Sequence, residues 1–407
     1  MPSILIISSS EITYNARLLK AAEVFKSRGF QVTVYNPITG LCPEEIHRKT
    51  IQDKDWDVIE NDISKRTLSS WIRWFVSSLA HLIICRITSF WVKNRLQSYF
   101  MNKGLILAPS FKAHDYILIH LVDNLPYAVK LSRKMGAKLI YDSQEYFVGQ
   151  YQSFDKRKYN WVKRNQELYI KSVDYLLATT NVMKETLIAD YNLDIPTFRV
   201  RNLPLEKHTR NSSESPSKKD ASISIVWHGM SIFFHNRRGL DVLMEAMSLC
   251  KSNVELTLQG NINPNQKDIL NQLVNHLHLK GRIHLAPAAH PEQIISSLRH
   301  HDVGVTTELT EEMNQELTSS NKLFDYIHAG LAVVSSNTLG LAETLNEYNV
   351  GYLYESGSAE QLANKLDFLA EDQTMLENFK ERSRNARKSL YWENDYNPFI
   401  DQMVKGR

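Results

Sequence analysis

The chain has 407 residues, enough for two domains, with 43% hydrophobic and 23% charged residues, as in a soluble globular protein. Lys plus Arg number 48 against 45 acids, and a net charge of +3 is too small an excess to argue for nucleic acid. The three cysteines, Cys42, Cys85 and Cys250, are far apart and in no metal spacing, so free thiols in a reducing, cytoplasmic compartment are expected.

The N-terminus lacks a basic region and a small-residue cleavage site, and Ile4, Leu5, Ile6 and Ile7 read as a first strand rather than a signal peptide. No stretch of about eighteen residues is free of charge, so no membrane span is expected. Leu18, Leu19, Ala22 and Phe25 follow at helical spacing, Gly29 ends that helix, and residues 31–35 form the next strand. This is a βαβ unit, which implies a parallel sheet with right-handed crossovers. Its first loop has no Gly-x-Gly-x-x-Gly, against a standard dinucleotide site.

Residues 50–66 are polar and charged. Residues 68–100 hold Trp71, Trp74, Phe75, Leu79, Leu82, Ile83, Ile87 and Phe90 near one helical face, and also Trp91, with Arg73, Arg86, Lys93 and Arg95 and no acid. Such a helix suits a membrane interface. A helix packed on the sheet with its arginines pointing outward is the other arrangement that the pattern allows.

Residues 116–120 are a strand ending at His120, with Asp123 just beyond; 125–135 are a helix with Pro126 in its first turn. The strand 139–142 runs out into Ser143, Gln144 and Glu145. Ligands of open α/β sheets bind beyond the carboxyl ends of strands. His120, Asp123 and Glu145 therefore stand where a catalytic site is expected, although each alone also reads as a loop residue or cap. A basic, aromatic helix (151–172), a strand (173–180), a helix (183–191) and a strand (198–200) complete the first half. Residues 207–222 are rich in Ser, Lys and Asn and read as a linker.

The pattern then begins again. A strand from 223 reaches Gly229, Arg237 and Arg238 lie in a basic loop, and strands and helices alternate up to the strand 303–306. Next come Ser319 and Ser320 as caps, a short helix with Leu323, Tyr326 and Ile327 on its apolar face, Gly330 as its end, and a buried strand through Val333 and Val334. A helix N-terminus beside Lys322 is an anion site, because free N–H groups and the helix dipole favour negative charge. Asp325, one turn further in, can accept hydrogen bonds from sugar or ribose hydroxyls. A capped helix with a solvated Lys-Asp pair is the plainer reading. Helices and one more strand, 351–354, lead to a helical C-terminal segment broken near Trp392 and Pro398. Two successive α/β halves imply two doubly wound, Rossmann-like sheets facing a central cleft.

Asn321-Lys322-Leu323-Phe324-Asp325-Tyr326, followed by Ala329-Gly330-Leu331-Ala332-Val333-Val334, is similar to N-K-L-F-E-Y-x-x-A-G-x-P-V-V of the GT-B glycosyltransferases of family 4. His120-Leu121-Val122-Asp123 resembles their H-x-H-D, Tyr141-Asp142-Ser143-Gln144-Glu145 their Y-D-S-H-E, and Asn202-Leu203-Pro204 their N-x-P. The resemblance covers nearly the whole chain. It implies the α/β GT-B fold: an acceptor-side domain over 1–206, a linker over 207–222, a nucleotide-sugar domain over 223–390 and a C-terminal helix, 391–407, returning to the first domain.

The resemblance also implies a retaining hexosyltransferase that uses a UDP- or GDP-sugar, needs no cofactor or metal, and acts on a glycan or lipid-linked acceptor in surface polysaccharide synthesis. No Asp-x-Asp stands near the implied diphosphate site to hold a metal. Donor binding falls to Gly229, Arg237, Arg238, Ser320, Asn321, Lys322 and Asp325; His120, Asp123 and Glu145 are the catalytic candidates. Val122 and Gln144 stand where the family often keeps histidines, Met230 replaces its arginine after the glycine, and Leu317 stands eight positions before Asp325 where its first Glu belongs. A GT-B scaffold that binds nucleotide or glycan as a partner subunit is the alternative these departures support.

Overall fold

The computed structural model describes residues 1–86, 105, 108, 110–152, 155–208, 222–235 and 238–405. Two compact units result. The first comprises Met1–Thr179, Met183–Val200 and Asp395–Arg407, the second Thr180–Val182 and Arg201–Asn394.

The first half runs β1 (Ser3–Ile7), α1 (Ala16–Ser27), β2 (Gln31–Ile38), α2 (Glu44–Gln52), β3 (Asp57–Asp62), α3 (Leu68–Arg86) and β4 (Tyr116–His120). It continues with α4 (Leu125–Met135), β5 (Lys138–Ser143), α5 (Phe147–Tyr151), α6 (Lys156–Tyr169), β6 (Tyr175–Ala178), α7 (Asn181–Tyr191) and β7 (Thr197–Arg199). These strands make one seven-stranded sheet in the order β3-β2-β1-β4-β5-β6-β7, with every pair parallel. The central strands are apolar on both faces because helices cover both; β4 is buried at every position.

The polar stretch 50–66 contains β3, an edge strand bonded to β2 on one side only, which tolerates the exposed Asp57, the half-buried Asp62, and Glu60, whose carboxylate lies 2.6 Å from His47 Nε2. The aromatic helix expected over 68–100 is α3 as far as Arg86; residues 87–100, with Phe90 and Trp91, lie outside the described residues.

The second half repeats the scheme with β8 (Ile223–Ser231), α8 (Leu240–Leu249), β9 (Val254–Asn261), α9 (Pro264–His276), β10 (Ile283–Ala286), α10 (Ile294–Leu298) and β11 (Val303–Thr306). Then follow α11 (Met313–Leu317), α12 (Asn321–Ala329), β12 (Ala332–Ser336), α13 (Leu339–Tyr348), β13 (Gly351–Tyr354), α14 (Ala359–Glu371), α15 (Gln373–Ala386) and α16 (Trp392–Lys405). Its six strands are all parallel, in the order β10-β9-β8-β11-β12-β13. Each sheet thus steps outward from its first strand in one direction and then in the other, which is the doubly wound order. The core of the second unit lies between that sheet and its helices, with Trp227, Leu243, Met244, Val305, Val334 and Leu366 fully buried.

The last residues of α16 belong to the first unit. There Tyr396 and Phe399 meet Phe25 edge-on, with ring centroids 5.6 and 6.4 Å away, and Phe399 also meets Tyr175 and Phe198. Tyr116 Oη donates to the Met403 carbonyl at 3.3 Å.

Candidate functional site

The second sheet reverses its winding between β8 and β11, and such a switch point is where open α/β sheets leave a crevice for ligand. Three pieces of backbone end there: β8, β11 and the N-terminus of α12. Tyr326 of α12 joins them. Its hydroxyl donates to the Val305 carbonyl at 3.1 Å and accepts from the His228 N–H at 3.2 Å. Its ring lies on Gly304, where an added Cβ would come within 2.1 Å of the ring, so β11 needs glycine at that position. Burial pushes the Tyr326 phenol well above its usual range, so it remains a donor.

Lys322 projects from the first turn of α12. Its Nζ lies 2.6 Å from Glu308 Oε1 and 3.0 Å from Ser320 Oγ, and 5.5 Å from the centre of the Trp227 ring. Burial alone would raise the Glu308 carboxyl, but Lys322 and Ser320 outweigh it and hold the group below its ordinary value. Ser320 stands at the N-cap position but does not cap the helix, since its hydroxyl is taken by Lys322; Ser319 Oγ is buried without a partner. In the first turn the Leu323 N–H donates to the Ser320 carbonyl at 3.2 Å, and the helix itself offers no partner to the N–H groups of Asn321 and Lys322, which suits those two to an anion. Asn321 is exposed at this end, and Gly330 closes the other in the left-handed conformation. Asp325 Oδ2 lies 3.3 Å from His228 Nε2, and the His228 ring meets Tyr326 edge-on at 5.3 Å.

Gly229 sits where the β8–β9 register shifts, and a Cβ there would lie 2.8 Å from the Trp227 ring and 3.5 Å from Arg238 Nη1. Arg238 is exposed, with Nη1 3.4 Å from the Ser231 carbonyl. Its own carbonyl accepts from Thr307 Oγ1 at the end of β11. Gly239 has φ +62°, and a Cβ would stand 2.1 Å from the Thr307 carbonyl, so only glycine lets the loop close onto β11. Arg237 lies outside the described residues. The second unit therefore gathers Gly229, Arg238, Ser320, Asn321, Lys322 and Asp325, and adds His228 and Glu308, which the sequence reading missed. Glu308 stands just past the carboxyl end of β11, so the rule that picked Glu145 would have found it.

In the first unit, His120 ends β4 and pairs in register with Asp142 of β5. His120 Nδ1 is 3.0 Å from Asp142 Oδ2, and 2.6 Å from the side-chain amide of Gln144. Asp142 also accepts two bonds of 2.7 Å from Arg17, which reaches the Val200 carbonyl at 2.9 Å as well. Burial works to raise the Asp142 carboxyl, yet the Arg17 guanidinium and His120 bring it down to about 2. His120 Nε2 is buried and has no hydrogen-bond partner.

Leu121, at φ +70°, turns the chain out of β4, and Asn124 Nδ2 holds that turn through the His120 carbonyl at 2.7 Å. Asp123 sits in the single 3₁₀ turn that follows, where burial raises its carboxyl against the opposing pull of Lys158. Glu145 is half-buried just past β5, and its carbonyl accepts from Ser143 Oγ at 3.0 Å. The first unit thus places His120 at the end of one strand, with Asp123 and Glu145 just beyond the ends of that strand and its neighbour. Among the described residues, no group of three or more His, Cys, Asp or Glu could hold a metal ion.

Residues 231–386 match the family model described as glycosyl transferases group 1. No curated protein matches the chain by sequence. Among solved structures, sucrose-phosphate synthase from Thermosynechococcus elongatus superposes with a TM-score of 0.69 at 13% identity, covering 100% of both chains. A glycosyltransferase from Rickettsia africae gives 0.67 at 14% identity, over 98% of this chain and 97% of its own. HepE of Anabaena, solved with UDP, gives 0.65 at 14% identity over the whole of both chains, and it has also been solved with UDP-glucose. The fold is GT-B, and with a group 1 domain over residues 231–386 the chain is a glycosyltransferase.

Proposed function

We propose that this protein transfers a hexose from a UDP- or GDP-sugar, with retention of configuration, to a glycan or lipid-linked acceptor in surface polysaccharide synthesis. We place it on a membrane surface through α3. The observation that carries the donor assignment is the start of α12 at the switch point of the second sheet, where Lys322 and the first-turn N–H groups stand together.

The diphosphate gains negative charge as its bond to the anomeric carbon breaks. Lys322, Arg238 and the N–H groups near Ser320 and Asn321 are fixed positive poles for that charge, and such poles lower the barrier because they need no reorganisation. Asp325, oriented by His228, accepts from the ribose hydroxyls. With retention, the acceptor oxygen forms its bond on the face that the diphosphate leaves, and the departing phosphate oxygen takes the acceptor proton. Asp123 and Glu145 orient the sugar and acceptor hydroxyls, and His120 backs them. No protein nucleophile is required.

The test is a screen of UDP- and GDP-hexoses with a lipid-linked acceptor, reading the anomeric configuration of the product by NMR. An α-linked product from an α-donor is expected; an inverted product removes the retaining assignment, and no transfer from any donor removes the reading. Changing Lys322 alone would strand Glu308 as a buried, unpaired acid. The informative variant is therefore Lys322→Met combined with Glu308→Gln, expected to lose about a hundredfold in kcat/KM relative to Glu308→Gln.

A further inference from the structure

Lys322 does not meet its surroundings as a bare cation. Its ammonium is held by Glu308, and the two side chains are only 13% and 15% exposed. The second carboxylate oxygen, Oε2, is buried with no hydrogen-bond partner. Nor can the carboxylate easily leave with its loop. Thr307 Oγ1 is bonded to the Arg238 carbonyl, and Ser356 Oγ donates to the Glu308 carbonyl at 3.1 Å. A permanent negative charge is thus built in beside the cation assigned to the diphosphate. The motif around Lys322 gives no reason for it, because Glu308 lies 14 residues earlier.

We propose that Glu308 is the counter-ion that Lys322 exchanges for the diphosphate, so that this carboxylate loosens the nucleoside diphosphate product and speeds its release. The inference rests on the donor-site reading above. An ammonium has three donors, and two of those on Lys322 are engaged by Glu308 and Ser320. A phosphate oxygen can take the third at once and compete for the one on Glu308. The incoming group carries several negative charges, so it outbids a single carboxylate but is repelled by it. The repulsion is largest when both phosphates are fully charged, as in the product. Once the diphosphate departs, Glu308 takes the ammonium back, and neither charge is left buried alone.

A carboxylate that only positions Lys322 predicts the opposite effect of neutralisation, so the two roles separate cleanly. Glu308→Gln keeps the shape and an acceptor for Lys322 but removes the charge. Titration calorimetry of the full chain with UDP and with GDP is expected to show the preferred nucleotide binding about tenfold more tightly in that variant. Its kcat is expected to fall, with a burst of product in the first turnover as release becomes limiting. Glu308→Asp, which keeps the charge, should bind like the wild type, and thermal unfolding checks that each variant is folded. Unchanged or weaker nucleotide binding in folded Glu308→Gln overturns the exchange role while the donor site stands. If the wild-type chain binds neither UDP nor GDP, the donor-site reading fails, and this inference with it.

Discussion

Asp142 shows what a motif reveals about a residue and what it hides. The sequence marks it through Tyr141-Asp142-Ser143, but nothing local points to Arg17, its partner 125 positions away. The pairing spans β4, which lies between β1 and β5 in the sheet, and so became visible only in three dimensions. Glu308 differs, since its place just past β11 was open to the strand-end rule and only its pairing with Lys322 needed the fold. Arg17 and Asp142 are 4% and 0% exposed, so removing one strands the other. Arg17→Met is expected to cost roughly 3–5 kcal/mol of stability in urea unfolding; a loss under about 1 kcal/mol would show that water reaches the pair. The pH dependence has a definite sign. The Asp142 carboxyl, at about 2 in the folded chain, lies below its unfolded value of about 3.9, so its contribution is complete above that value and is lost as pH falls through 2. Between pH 5 and pH 2 the wild type is expected to lose roughly 2 kcal/mol more than Asp142→Asn, measured by denaturant unfolding at each pH.

At the scale of elements, periodicity was most informative where strands are buried on both faces. The apolar run at Ile4 to Ile7 and the strand through Val333 and Val334 could hardly be anything else, whereas β3 and α11 were unreadable because one is a polar edge and the other a single turn. The α3 helix is an intermediate case. Its pattern gave an apolar face but not what covers that face. The helix buries Ser70 and Ser77 and leaves Trp71, Ile72, Phe75, Val76, Leu79 and Ile83 largely exposed, with the Trp71 and Phe75 rings stacked at 5.4 Å. It carries no acid, and Lys65 lies 3.5 Å over the Trp74 ring beside it. No helix among the described residues is long and apolar enough to cross a bilayer. A basic helix with aromatic residues turned outward matches an interfacial anchor, in which buried apolar area and anionic lipid act together. Replacing Trp71, Phe75 and Leu79 with Ser is expected to cut co-sedimentation with phosphatidylglycerol vesicles about tenfold or more while transfer to a water-soluble acceptor is unchanged. Equal sedimentation of variant and wild type would remove α3 as the anchor.

For the whole molecule, the alternation of strands and helices, begun again at residue 223, was enough to imply two doubly wound sheets, because connectivity rules leave few other ways to bury such strands; the linker expected over 207–222 lies, from 209 to 221, outside the described residues. The distribution of buried ionisable groups was not legible, and it gives the two units different responses to acid. The second unit buries His328, whose Nε2 donates to the Leu390 carbonyl at 2.7 Å, and half-buries His301, whose Nδ1 is 2.8 Å from Ser224 Oγ. Burial lowers each to about 4. A histidine of the unfolded chain titrates near 6.5, so between about 6.5 and 4 the unfolded state binds protons that the folded state refuses. Stability is full above that window and falls as pH drops through it, by roughly 3 kcal/mol for His328 and less for the more exposed His301. The first unit keeps its Arg17–Asp142 pair ionised to much lower pH. Trp227 and Trp392 are fully buried in the second unit, whereas Trp56, Trp71, Trp74 and Trp161 of the first are already partly in water. A red shift of tryptophan emission on acidification therefore reports mainly the second unit, and its midpoint is expected between about pH 6.5 and 4. Replacing both histidines with Gln retains a donor for Leu390 and removes the proton uptake, so the midpoint should move about one pH unit lower. A midpoint that stays in place in the double variant would mean that carboxylates, not these histidines, set the acid limit of the second unit.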